Sequence, residues 1–160
     1  MILGNQIEWA LHCMTVMAGL PEGVQVSAKA LAEFHGVPKE YLSKCLQQLS
    51  QAGLVHSTPG AKGGYSLSKS PDKISFLDIV EAIEGKKKTF NCQEIRQNNP
   101  CLGKKDKNFS SVCEIAGVMY KADEAWRGVL RERILSDITA ALSKKISKEL
   151  KNEMSDWFSK

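Results

Sequence analysis

Residues 27–69 read SAKALAEFHGVPKEYLSKCLQQLSQAGLVHSTPGAKGGYSLSK, and this stretch decides the fold. Ser27 is a side chain that accepts a hydrogen bond at a helix start, and Gly36 can close the short run AKALAEFH. Pro38, suited to a first helical turn, opens PKEYLSKCLQQLSQA, which Gly53 stops. The apolar stripe of that helix is Tyr41, Leu42, Cys45, Leu46 and Leu49. LVHST and YSLSK then read as two short strands around PGAKGG, a glycine-rich hairpin tip. Two helices across a tight turn, followed by a two-stranded wing, is the order of a winged helix-turn-helix, and AEFHGVPKEYL supplies the turn.

In that architecture the later helix enters the major groove of DNA, which is about 12 Å wide. If the apolar stripe faces inward, Lys39, Glu40, Ser43, Lys44 and Gln47 face outward. Gln47 could read adenine bidentately and Ser43 could bond bases or phosphates, while Lys39 and Lys44 suit the backbone. Lys62, at the wing tip, suits a minor-groove or phosphate contact. For any one of these residues the plainer alternative is a solvated helix position.

Working outward, residues 5–18 place Ile7, Leu11, Met14 and Met17/Ala18 at amphipathic-helix spacing, with Glu8, His12 and Thr15 on another face. GLPEGVQ is a turn. Ser75 with Asp78 forms a variant capping box that opens SFLDIVEAIE, closed by Gly85. A long amphipathic helix starts at Glu114 and runs through Ile115, Val118, Met119, Ala122, Ala125/Trp126 and Val129. Ser136–Thr139 reads as a break, before a last helix through Leu142, Ile146, Leu150 and Trp157 that would pack beside the long one. The expected fold is mainly α with a small β-wing. Residues 1–85 would be a winged helix-turn-helix DNA-binding domain, 86–113 a loop, and 114–160 a dimerisation helix and C-terminal helix.

Composition is compatible with this. The 160 residues are 42% hydrophobic and 25% charged, which are globular values, and the net charge of +4 permits a nucleic-acid partner without requiring one. The N-terminal run lacks a basic leader segment and carries Glu8 and His12, so it reads as neither signal peptide nor membrane span. With an odd cysteine count, this suggests a reducing cytoplasm. No substrate-pocket motif, nucleophile–base pair or nucleotide-binding glycine loop argues for an enzyme.

Three of the five cysteines, Cys92, Cys101 and Cys113, lie in the polar, lysine-rich loop, where no core would bury them. A loop that long is uncommon unless functional or disordered. The thiols could be free, could hold structural zinc, or could ligate an iron–sulfur cluster. Zinc sites usually show close C-x-x-C pairs, which are absent, and wide spacing better suits a cluster. Glu8 and His12, four apart on the first helix, share one face, either as a metal-ligand pair or as an ordinary surface pair. Cys13 and Cys45 fall on apolar faces and read as core.

IEWALHC, then YLSKCLQQLSQAGLVHSTPGAKGGYSLSK, then FLDIVEAIEG, a cysteine loop and a long helix together resemble the Rrf-two family of bacterial winged-helix regulators. The wing glycines Gly60, Gly63 and Gly64 with Tyr65 carry much of the likeness. E-W-A-L-H-C, C-x-E-I-R-Q and C-x-I-A look closest to the redox-sensing RsrR branch. The resemblance implies a cytoplasmic homodimeric repressor on a pseudo-palindromic double-stranded operator. It also implies a [2Fe–2S] rather than a [4Fe–4S] cluster, held by Cys92 and Cys113 and by Glu8 and His12 of the opposite subunit. Cys101 is then a third sulfur ligand in place of Glu8, a resolving thiol or a bystander. The competing readings are a regulator sensing oxidants through bare thiols or zinc, an electron carrier or cluster enzyme, and a protein-docking module.

Overall fold

The computed structural model describes residues 3–60, 63–103 and 109–159. Seven α-helices and one hairpin are present among them, divided into two compact units. One unit is Lys87–Val129; the other is formed by the chain before and after it.

The larger unit is built on α1 (Asn5–Gly19), which buries Ile7, Ala10, Cys13, Met14 and Met17 on one face. The α2 helix (Ala28–His35) starts as expected, with the Ser27 hydroxyl accepting from the Ala30 N–H at 3.0 Å. Gly36 ends it at φ 63°, a left-handed conformation that costs a glycine nothing and sets the tight turn into α3 (Lys39–Gln51). Leu42, Cys45, Leu46 and Leu49 of α3 are buried against α1, α2 and α4 (Phe76–Glu84). Tyr41 departs from the expected stripe: it is 53% exposed and lies on the outward face.

Strands β1 (Val55–Thr58) and β2 (Gly64–Leu67) pair antiparallel, Val55 opposite Leu67 and Thr58 opposite Gly64. Val26 adds a bridge, exchanging bonds with Tyr65 at 2.9 and 2.8 Å. That bridge explains a wing glycine: a Cβ on Gly64 would lie 2.6 Å from the Val26 carbonyl oxygen. The Ser75–Asp78 capping box is present at the start of α4, with Asp78 N–H to Ser75 Oγ at 3.1 Å and Ser75 N–H to Asp78 Oδ2 at 2.8 Å.

The C-terminal part differs from expectation. The long helix α5 (Glu114–Glu132) ends at Arg133–Ile134, not at Ser136–Thr139, because Ile134 leaves helical geometry to bridge Ser75. Ser136 and Thr139 lie inside α6 (Leu135–Ser143), the Thr139 hydroxyl bonding the Ser136 carbonyl at 3.0 Å. A separate α7 (Lys148–Phe158) packs on α2: Phe158 and Trp157 stand 5.0 and 6.2 Å from the Phe34 ring, and the Trp157 indole reaches the Ala30 carbonyl at 3.5 Å.

The Lys87–Val129 unit has almost no core of its own. Among its described residues only Ala116 is buried. Asp123 of α5 fastens the incoming chain: it accepts from the Thr89 hydroxyl at 2.7 Å, the Trp126 indole at 3.0 Å and Arg127 Nε at 3.0 Å. Phe90 meets Tyr120 at 6.1 Å, and the Lys88 ammonium lies 5.1 Å from the same ring. Elsewhere on α5, Ile115, Val118 and Val129 are 71%, 67% and 68% exposed.

Candidate functional site

Three surfaces carry the chemistry. The first is the outward face of α3. Lys39, Glu40, Lys44 and Gln47 are exposed and Ser43 is half-buried, which leaves them free to meet a groove. Tyr41 joins them, with the Lys44 ammonium 5.7 Å from its ring. Sequence periodicity assigned Tyr41 to the core because it stands at the edge of the apolar stripe, where neighbours in space decide. Lys62 lies outside the described residues.

The second is a groove of about 530 Å³ along α1, lined by Leu3, Ile7, Glu8, Leu11, His12 and Phe76 among others. Glu8 and His12 are both exposed at it. On its other side the His12 ring lies 5.7 Å from His35, the last residue of α2. Burial, and then the proximity of His12, hold the His35 imidazole below its ordinary pKa. His35 Nε2 is buried with no hydrogen-bond partner among the described residues.

The third is the cysteine segment. Cys92 and Cys113 are half-buried and Cys101 is exposed; all are free thiols. Cys113 lies immediately before α5, and its carbonyl accepts from the Gly117 N–H at 2.8 Å. The Cys92 thiol donates to the Glu94 carboxylate at 3.7 Å, and Arg96 binds the same carboxylate through Nε at 2.7 Å while its Nη2 donates to the Ser111 carbonyl. Cys92 Sγ accepts from the Glu94 N–H at 3.4 Å. Cys101 hangs on the Asn99 amide oxygen by its backbone N–H at 3.0 Å. Among the described residues of this single chain, no three of His, Cys, Asp or Glu stand together as a metal-holding group. Arg96 lies within the C-x-E-I-R-Q run, but no periodicity marks its role, because Ser111 and Phe109 meet it from distant irregular chain. Cys13 and Cys45 are buried in the core, and burial, then the neighbouring Cys45, pushes the Cys13 thiol up to about 12.

A helix-turn-helix with a hairpin wing and a free recognition face defines the class: a winged-helix DNA-binding regulator. The chain belongs to the Rrf2 family, whose model, described as an iron-dependent transcriptional regulator, matches residues 3–141. It is 40% identical over 98 residues to the HTH-type transcriptional regulator YffB of Lactococcus lactis, covering 61% of this chain and 63% of that relative. It is 25% identical over 138 residues to the regulator NsrR of Shouchella clausii, covering 86% of this chain and 88% of that one. Among solved structures it resembles CymR, the global cysteine regulator of B. subtilis (TM-score 0.68, 23% identity, 88% of this chain and 98% of that one). It resembles IscR of T. potens equally (TM-score 0.68, 23% identity, 92% and 93%). These relatives are transcriptional regulators, not enzymes, and no helix among the described residues is long and apolar enough to cross a membrane.

Proposed function

We propose that the chain is a homodimeric, redox-sensing repressor of the RsrR-like branch that holds a [2Fe–2S] cluster and binds a pseudo-palindromic operator. The observation that carries it is the backbone N–H directed at the Cys92 sulfur, beside an Arg96 side chain that binds Glu94 and also fastens the chain two residues before Cys113. Positive charge and N–H···S bonds suit thiolates that ligate an anionic cluster. The donor set therefore fits the group: two sulfurs from the segment, and the Glu8 carboxylate and His12 imidazole from α1 of the partner. When bound, the cluster supplies a reversible one-electron change in charge.

The chain's own part is mechanical. Glu8 and His12, one turn apart, load α1 from its exposed side, while Ile7, Ala10, Cys13, Met14 and Met17 lock its other side into the core. Since α1 packs directly on α3, and His12 on the end of α2, a displacement of the ligand pair is passed to the reading helix as a rigid movement. The uncovered stripe Ile115–Val118–Met119–Val129 supplies the dimer surface; an exposed apolar helix face of this length favours a second copy. In the dimer two α3 helices address half-sites about one helical turn, roughly 34–36 Å, apart. The outward residues Lys39, Glu40, Ser43, Lys44 and Gln47, with Lys62, make the contacts.

The test is anaerobic purification with visible absorption and iron and sulfide counts. Glu8→Ala, His12→Ala, Cys92→Ala and Cys113→Ala are expected to lose colour, and Cys101→Ala to keep it. Operator affinity at fixed salt should then differ between oxidised, reduced and cluster-free protein, since salt alone moves affinity by orders of magnitude. The second reading, sensing through bare thiols without a cluster, draws support from the likeness to CymR of Staphylococcus aureus, whose structure is known in an oxidized form. It predicts a colourless protein that loses DNA binding reversibly on thiol oxidation.

A further inference from the structure

The cysteine segment is tied together by a single side chain. Glu94 adopts φ 50°, uncommon for a residue with a Cβ, and this turns its N–H back onto Cys92 Sγ at 3.4 Å. Its carboxylate takes Arg96 Nε at 2.7 Å and Nη2 at 3.4 Å. Arg96 Nη2 also donates to the Ser111 carbonyl, and the guanidinium carbon lies 4.2 Å from the Phe109 ring centroid. One side chain is thus anchored two residues after Cys92 and again at four and two residues before Cys113. The Arg96 and Glu94 side chains are only 25% and 37% exposed, so the pair is partly shielded from water. The Glu94 carboxylate also accepts from the Cys92 thiol at 3.7 Å, so the Arg96–Glu94 pair stands directly against that sulfur.

We infer that Arg96 is the positioning residue of the sulfur half of the site. It gathers the two ends of a long irregular segment so that Cys92 and Cys113 act as a pair, and its charge offsets that of the Glu94 carboxylate beside Cys92. The inference rests on the reading that these two cysteines are ligands. Its two contributions can be separated chemically. A lysine keeps the charge but cannot reproduce the planar fork that meets Glu94, Ser111 and Phe109 together. A glutamine keeps neither.

The first measurement uses cluster-free, full-length protein carrying Cys101→Ala, treated with phenylarsine oxide. Trivalent arsenic closes on two neighbouring thiols, forming two As–S bonds and releasing one water. Mass spectrometry should find arsenic bridging Cys92 and Cys113, with capture at least tenfold slower in Arg96→Gln and intermediate in Arg96→Lys. The second uses anaerobically loaded protein. Reduction adds one negative charge, so losing the guanidinium should disfavour it by about tenfold in the reduced-to-oxidised ratio, about 59 mV for one electron. Arg96→Gln should show that lowered midpoint potential and Arg96→Lys should stay near the parent. An unchanged capture rate in Arg96→Gln, or potentials lowered equally in both variants, overturns the inference. A protein that never takes up iron but captures arsenic in an Arg96-dependent way upholds the positioning role and overturns the cluster reading.

Discussion

At the residue scale, α3 and the wing carry the sharpest consequences. Tyr41 is exposed and outside the core, so Tyr41→Ala should leave the melting temperature unchanged. It should weaken operator binding by roughly 1 kcal/mol, about fivefold at constant salt, measured by fluorescence anisotropy. Gly64→Ala should do the reverse. Its new methyl group meets the Val26 carbonyl at 2.6 Å, a backbone atom that can move only with the wing, and the expected loss is roughly 1–3 kcal/mol of stability in urea. The caps Ser27, Gly36, Ser75 and Gly85 were all legible in sequence, because capping chemistry is local. Tyr41 and Arg96 were not: one depends on which neighbour covers a stripe's edge, the other on partners far apart in chain.

At the element scale, α5 depends on Asp123. The Thr89 hydroxyl first, then Arg127 and Trp126, hold its carboxyl down to about 2, below the ordinary value of 3.8. The unfolded chain therefore binds the proton more readily. The stability contributed by this group is fully present above about pH 4 and is lost as pH falls through about 2. Comparing urea midpoints of the parent and Asp123→Asn should give a constant difference from pH 5 to 7 that narrows as the solution is acidified below 4. A difference independent of pH would mean that the network contributes through shape alone. Ser136 and Thr139 look like helix breakers in sequence, whereas the actual interruption is the bridge between Ile134 and Ser75. Such long-range pairing leaves no local mark.

At the scale of the whole molecule, the order of helices and wing could be read from spacing and punctuation, as could the amphipathic α5. The site could be read only as a set of donors. Glu8 and His12 lie in one compact unit and Cys92 and Cys113 in the other. Ligation across the proposed dimer has a direct test by subunit mixing. A heterodimer of His12→Ala and Cys92→Ala chains keeps one complete donor set if ligands come from both subunits, and should hold half the iron of the parent. Ligation within one chain predicts a heterodimer without iron.

The two core thiols have a consequence for how oxidants are perceived. Cys13, with its proton held to about 12, and the fully enclosed Cys45 offer almost no nucleophilic sulfur at neutral pH. Ellman's reagent on the native, cluster-free chain should therefore count three sulfhydryls, and five only in guanidinium. Among the cysteines, peroxide or a disulfide reagent can reach only those of the lysine-rich segment. The thiols of the winged-helix scaffold stay chemically deaf to it.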